Sequence, residues 1–396
     1  MSRQSGPRIL FLVVEDWFFR THRLPLARAC REAGAEVFVM AHVNGPTGDL
    51  EAAGLQVIPW RFRRGSLNPL REILSLARVV QVYRHLRPDL VHHVSLKPVV
   101  YGGLVARLFG VPAVNAVTGL GHVFTANSIK MRVLGRSLIW LLLAAMRRSR
   151  SKAIFQNPED METLVSRGIV SASDSMLIRG AGVDLSEFVA TPEPQGTATV
   201  VLATRMLWNK GVGVFVEAAR ELRNRGVSAR FVLVGDPDPE NPASVSHEQL
   251  RQWHASGVVE WWPKRSDMPL VFSQSNIVCF PSYYGEGVPK VLLEAAACGR
   301  AAITTDSPGC RGAVRHGENG LLVPPRDSAA LAEAILRLLE DPALRARMGA
   351  RGREIAVGEF AVERVIAETL EVYRSLLRFQ WPRSEAPARP APASAD

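Results

Sequence analysis

Residues 277–298, IVCFPSYYGEGVPKVLLEAAAC, read as a strand, a glycine-rich loop and a helix. Ile277–Pro281 is a short apolar run of the kind buried on both faces of a parallel sheet. Pro289 suits a helix's first turn, whose N–H groups have no intrahelical partner to lose. Another apolar run, Ala301–Thr305, follows the Lys290–Cys298 helix at once. Strand, helix, strand at this spacing is the repeating unit of a parallel α/β sheet.

The alternation continues outward from this segment. Towards the N-terminus, Ala198–Thr204, Ala229–Gly235 and Val258–Trp262 read as strands, with a helix over Gly211–Gly226. Towards the C-terminus, helices are predicted over Asp327–Glu340 and Glu359–Phe379. The first half shows the same rhythm. Strands are predicted at Arg8–Val14, Glu36–Ala41, Asp89–His93, Pro112–Val117 and Lys152–Gln156, and helices at His22–Ala33, Leu67–Leu86, Val99–Phe109 and Pro158–Gly168. The polar stretch Thr191–Gly196 (TPEPQG) is the best linker.

At 396 residues, 47% hydrophobic and 22% charged with mean hydropathy +0.04, the chain exceeds one ordinary domain and is too apolar for disorder. Four segments are expected: a domain over 1–190, a second over 191–358, a helix over 359–381 able to pack back on the first domain, and a Pro/Ala/Ser-rich disordered tail over 382–396. No apolar run reaches the ~18–20 residues that span a bilayer. Met1–Pro7 is a short polar lead with no signal-peptide pattern. Cys30, Cys279, Cys298 and Cys310 lie far apart and read as reduced, buried thiols of a cytoplasmic protein.

Charge is unevenly placed. Residues 1–190 hold 24 Lys+Arg against 14 Asp+Glu, and residues 191–396 hold 24 against 24, so the first half carries all of the net +10. No acid occurs between Asp89 and Glu159. Such a field favours an anionic partner: nucleic acid, anionic lipid or a phosphorylated substrate. No aromatic platform or recognition helix stands out, so nucleic acid is not expected. Arg132–Arg150 has an apolar middle between cations and reads either as a helix lying in a lipid headgroup layer or as one packed on the sheet.

Open α/β sheets bind ligands at the carboxyl ends of their strands. Chemistry-bearing residues gather at those ends. Glu286 and Glu294 are eight residues apart on one helical face, roughly 12 Å along it, so they can work at two ends of an extended ligand. They can equally be two solvated glutamates at a helix start. Arg205 and Lys210, at another strand end, suit a diphosphate, one as a planar fork and one as a point charge. Asp236-Pro-Asp238 reads better as a turn than as a metal site. In the first half Glu15-Asp16, with His22 close by, can bind a hydroxyl, act as a base or cap a helix. His92 and His93 end a strand, where alternation lets only one point inward. His122 follows a strand in a glycine-rich turn.

These residues stand in stretches that resemble a known family. RMLWNKG (205–211), FVLVG (231–235), FPSYYGEGVPKVLLEAAACG (280–299) and PGCRGAVRHGENGLLVPPRD (308–327) resemble the donor half of glycosyltransferase family 4. EDWFFRTHRLPLA (15–27), HHVSLKPVVYGG (92–103) and NAVTGLGHVF (115–124) are similar to bacterial members that extend undecaprenyl-diphosphate-linked sugars. The resemblance implies a GT-B fold: two Rossmann-like, doubly wound α/β domains facing across a cleft. It implies retaining transfer from a UDP-sugar, with no cofactor and no metal.

By this resemblance Arg205 and Lys210 hold the departing diphosphate, and Glu286 lies near the transferred sugar. Glu294 binds ribose; the amides of Gly287 and Val288 support the phosphate or the sugar; Gly235 is a further donor-binding candidate; Arg265 lies in the base-binding loop. His122 contacts the donor sugar from the acceptor side. Glu15, Asp16, His22, His93 and Lys97 are the acceptor candidates. The first loop departs from the family, with Glu15-Asp16-Trp17 where many relatives have Gly-Gly. The implied partners are a nucleotide sugar, a lipid-linked sugar and the inner face of the cytoplasmic membrane. The alternatives are a soluble acceptor, or a protein that binds nucleotide sugar or nucleic acid without catalysis.

Overall fold

A computed structural model describes residues 6–61, 68–120, 129–147 and 150–379, the side chains of 129–137 excepted. These residues fall into two compact units. One runs to Ala181 and takes back the last helix from Glu363; the other is Gly182–Val362.

The first unit holds β1 (Arg8–Glu15), β2 (Glu36–His42), β3 (Gln56–Pro59), β4 (Leu90–Val94), β5 (Ala113–Val117), β6 (Ser151–Phe155) and β7 (Ser175–Leu177), in the order β3-β2-β1-β4-β5-β6-β7. The second holds β8 (Thr199–Ala203), β9 (Arg230–Val234), β10 (Glu260–Trp262), β11 (Ile277–Phe280), β12 (Ala301–Thr305) and β13 (Gly320–Val323), in the order β10-β9-β8-β11-β12-β13. Every pairing is parallel. Both are doubly wound Rossmann-type sheets, and each reverses its strand order once, between β1 and β4 and between β8 and β11. At such a reversal two neighbouring loops leave in opposite directions and open a crevice at the strands' carboxyl ends.

The central strands are buried along their whole length because helices cover both faces. In the second unit Val200, Leu202, Phe231, Leu233 and Ile303 pack on one face, and Val201, Val232, Val278 and Ala302 on the other.

Four expectations need correction. The helix predicted over Glu359–Phe379 is Val362–Leu376, because Ala361 (ψ 135°) is extended and separates it from the helical turn Ala356–Phe360. The helix predicted over His22–Ala33 runs Leu24–Glu32, and a separate helix, Asp16–His22, precedes it; the break falls at Arg23 (φ −131°), where Pro25 cannot continue the preceding turn. The edge strands β3, β7 and β13 and the helices His247–Ala255 and Pro342–Ile355 were not read from the sequence.

The last correction concerns Thr191–Gly196, which is not the boundary; that lies at 181/182. The buried Arg300 guanidinium donates to the Thr191 carbonyl at 2.8 Å, its hydroxyl at 2.6 Å and the Pro192 carbonyl at 3.2 Å. Arg345 and Asn276 both reach Glu193, at 2.7 and 3.1 Å. A stretch with linker composition is thus clamped to the second unit. The predicted tail, 382–396, lies outside the described residues.

Candidate active site

The second sheet's reversal point is built by two loops locked together. Gly211 has φ +81°, and any Cβ there would collide with the Pro281 carbonyl oxygen. Glycine therefore lets the loop after β8 touch the loop after β11. The Asn209 carbonyl accepts from the Tyr283 N–H at 3.1 Å and the Ser282 hydroxyl at 3.2 Å. Gly309 presses from the loop after β12 onto the Glu286 and Gly287 carbonyls, where a side chain could not fit.

On this frame Lys210 and Glu286 form an ion pair, their side chains 13% and 16% exposed. The Ser282 hydroxyl stands 3.1 Å from the same carboxylate, and the ammonium lies over the Phe280 and Tyr284 rings, 5.5 and 5.9 Å from their centroids. Arg205 donates to Asp238 at 2.6 Å. That pair is held by backbone bonds between the loops after β8 and β9: Met206 N to Asp236 O, Trp208 N to Ala243 O and Val245 N to Met206 O, at 2.8–2.9 Å. Both cations expected to hold a diphosphate thus already carry a carboxylate, and each pair remains partly open to solvent.

The Lys290–Ala297 helix begins after Pro289 with no side-chain cap, four residues beyond Glu286; Leu292 N donates back to the Pro289 carbonyl at 3.1 Å, and a helix start of this kind suits an anion. Glu294 lies one turn in, 3.3 Å from Lys290. Burial lifts its carboxyl to about 6; Lys290 opposes the shift and Glu187 adds to it.

The remaining donor-side candidates divide. Val288 is buried beside Gly287, next to the helix start. Arg265, exposed after β10, pairs with Asp267 at 2.7 Å and lies 5.9 Å over Trp262. Gly235 is a joint between strands: its N–H donates to Trp262 O at 3.0 Å, its carbonyl accepts from Trp261 Nε1 at 2.8 Å, and a Cβ would strike the Thr204 carbonyl. Both backbone groups of this donor-binding candidate are thus engaged in joining the strands. Asp236 accepts from Lys264 N at 3.0 Å and Asp238 holds Arg205, so both carboxylates serve loop architecture.

Sequence reasoning missed Asp238 as the partner of Arg205, and also Ser282. It missed Arg326, which has a left-handed backbone (φ 63°) and lies 4.5 Å over the Tyr283 ring. A non-glycine residue at positive φ leaves no sequence signature beyond its place in VPPRD.

In the first unit the acceptor candidates are mostly part of the frame. Asp16 is 3% exposed; it accepts from Trp17 N at 2.8 Å and Arg20 at 2.6 Å. Glu15 accepts from Asn44 at 2.6 Å at the exposed rim. His22 stacks on Phe18 with centroids 4.1 Å apart. Lys97 pairs with Glu72 at 3.2 Å.

His93 is fully buried, with Nδ1 2.7 Å from Asn115 Oδ1 and Nε2 2.7 Å from the Tyr83 hydroxyl. Both ring nitrogens being engaged inside the protein, His93 is withdrawn as an acceptor ligand. His92 is buried on the opposite face, 2.5 Å from the Tyr373 hydroxyl of the last helix, and burial holds its pKa well below the usual range. Alternation does separate the two histidines, but a sheet covered on both faces buries both. His122 lies outside the described residues. All four cysteines are buried and unpaired, and burial raises their pKa values.

Known proteins share this architecture. A family model described as "Glycosyl transferases group 1" matches residues 197–341, and one described as "Glycosyl transferase 4-like" matches residues 8–155. The N,N'-diacetylbacillosaminyl-diphospho-undecaprenol alpha-1,3-N-acetylgalactosaminyltransferase of Campylobacter jejuni is 30% identical over 349 residues, covering 85% of this chain and 90% of that protein. The UDP-Gal:alpha-D-GlcNAc-diphosphoundecaprenol alpha-1,3-galactosyltransferase of Escherichia coli is 24% identical, covering 85% and 88%.

Among solved structures, Anabaena HepE in complex with UDP and glucose superposes with TM-score 0.73 at 21% identity, covering 94% of this chain and 100% of that one. Sucrose-phosphate synthase from Thermosynechococcus elongatus does so with TM-score 0.76 at 21% identity, covering 93% and 99%. With both halves matched and a 30%-identical relative along most of its length, the chain is a glycosyltransferase of the group 1, family 4-like kind.

Proposed function

We propose that this enzyme moves an N-acetylhexosamine from a UDP-sugar to a sugar already carried on undecaprenyl diphosphate, with retention at the anomeric carbon, in cell-surface glycan synthesis at the inner face of the cytoplasmic membrane. The observation that carries the donor side is the gathering of Arg205, Lys210, Glu286 and an uncapped helix start at one reversal point. The acceptor side is supported by the names of the two relatives, both of which act on diphospho-undecaprenol-linked sugars.

Breaking the sugar–phosphate bond puts negative charge on the departing diphosphate. Fixed cations and N–H dipoles aimed at that charge lower the barrier most. Here Arg205 and Lys210 exchange their resting carboxylates for phosphate oxygens as the donor arrives. Glu286, released by Lys210, then stands next to the transferred sugar. Glu294, one turn into the helix, takes the ribose hydroxyls. This reading needs no cofactor beyond the donor.

The test is transfer by purified protein from UDP-N-acetylhexosamines to lipid-linked sugars extracted from bacterial membranes. A lipid product heavier by one N-acetylhexosamine is expected. No transfer and no hydrolysis with any nucleotide sugar would sink the proposal. Transfer to free sugars alone would reassign the acceptor.

A further inference from the structure

We propose that the first two turns of the Pro69–Leu86 helix form the edge by which this enzyme docks on an anionic lipid bilayer. The inference rests on the lipid-linked acceptor reading and adds the surface that brings the enzyme to that acceptor. Leu70, Ile73 and Leu74 are 71%, 62% and 70% exposed. Their spacing puts them on one face of the helix. Three large apolar side chains standing together in water mark a contact surface rather than ordinary scatter.

Charge selects the occupant. The helix carries Arg71, Arg78 and Arg84 against one acid, Glu72, and Glu72 is bonded to Lys97 and Tyr101 of the next helix. The whole net +10 of the chain lies in residues 1–190. An apolar turn flanked by cations suits the boundary between anionic headgroups and acyl chains. No helix among the described residues is long and apolar enough to cross a membrane.

Position also fits. This helix starts after β3, and the Glu72–Lys97 pair ties its first turn to the first turn of the Leu96–Phe109 helix after β4. Both turns lie at the strands' carboxyl ends, where a ligand of this sheet enters. A docked edge there would let a lipid-borne diphosphate reach the sheet without leaving the bilayer.

A second set of exposed apolar side chains, Leu108 and Phe109 next to Arg107 with Trp140 and Leu141, provides the contrast. It lies near Ala144, whose carbonyl accepts from Arg107 at the far end of the Leu96–Phe109 helix, towards the strands' amino ends. Among the described residues of Asp16–His22, Leu24–Glu32 and the last helix, no large apolar side chain is comparably exposed.

The experiment is flotation of the full chain with vesicles of phosphatidylcholine containing roughly 30% phosphatidylglycerol, and with phosphatidylcholine alone. Wild type should float with the anionic vesicles only. Ile73→Glu with Leu74→Glu should weaken flotation by about tenfold or more, with unchanged Tm and unchanged transfer to acceptor dispersed in detergent. Trp140→Glu should float as wild type does. The proposal is overturned if wild type ignores anionic vesicles, if it floats equally with neutral ones, or if the double variant floats as wild type does. It is also overturned if Trp140→Glu is the variant that is lost. Flotation as expected without transfer to any lipid-linked sugar would sink the acceptor reading and leave the docking edge standing.

Discussion

The two sheets share one topology and use it differently. Both reverse strand order between their first and fourth strands, and both put acids, cations or histidines at that point. In the second unit those groups form ion pairs between loops, Lys210–Glu286 and Arg205–Asp238, and stay within reach of a ligand. In the first unit the matching groups have sunk into the frame: Asp16 under Arg20, His93 between Asn115 and Tyr83, His92 against Tyr373. Equal topology does not mean equal chemistry. A polar group whose partners are fixed and dry specifies structure, whereas one held by a partner that a substrate can replace is poised for function.

Substitutions on the two sides should therefore fail in different ways. The largest effect is expected from Glu286→Gln, which keeps the shape and removes the charge. Turnover should fall about 10²–10³-fold at an unchanged Tm, read by transfer kinetics and calorimetry. A Tm loss that accounts for the whole fall would erase the contrast. His93→Ala should do the reverse. It opens a cavity and takes one buried hydrogen-bond partner from each of Asn115 and Tyr83, costing about 2–4 kcal/mol in denaturant unfolding, with near-normal turnover per folded molecule.

Glu294 joins the two behaviours. Burial lifts it to about 6, so at neutral pH the wild type holds an ionised carboxylate at some cost to stability. Glu294→Gln should raise stability by roughly 1–2 kcal/mol above that pH. The gain should fade as pH falls through 6, where the wild-type carboxyl becomes neutral too. The same variant should raise the KM for donor. A Tm difference that does not change between pH 5 and 7.5 would remove burial as the cause. The smallest effect is expected from Asp238→Asn. Without the resting carboxylate, phosphate meets one competitor fewer at Arg205, and UDP should bind several-fold tighter, about 1 kcal/mol by titration calorimetry. Weaker binding would make Asp238 the residue that aims Arg205.

The donor side was legible in the sequence because its residues sit in short segments whose local structure is self-determined. A strand end, Gly211 and Pro289 suffice to place Lys210 and Glu286 on adjoining loops. What stayed hidden depends on distant contacts. Asp238 looks like a turn former until the loop after β9 closes on the loop after β8. Thr191–Gly196 has linker composition, and only the buried Arg300 fixes it to the second unit. The histidine pair misled for another reason. Alternation gives the two faces correctly, but in the doubly wound sheet expected here helices cover both, so neither face leaves a histidine open to a ligand.

The central claim is that the second sheet's reversal point binds a nucleotide diphosphate through Arg205 and Lys210. Titration calorimetry of UDP into wild type and into an Arg205→Ala, Lys210→Ala variant of matched Tm tests it most directly. The account predicts saturable binding to wild type and a loss of about a hundredfold or more in the variant. Equal affinity in the two proteins would contradict it.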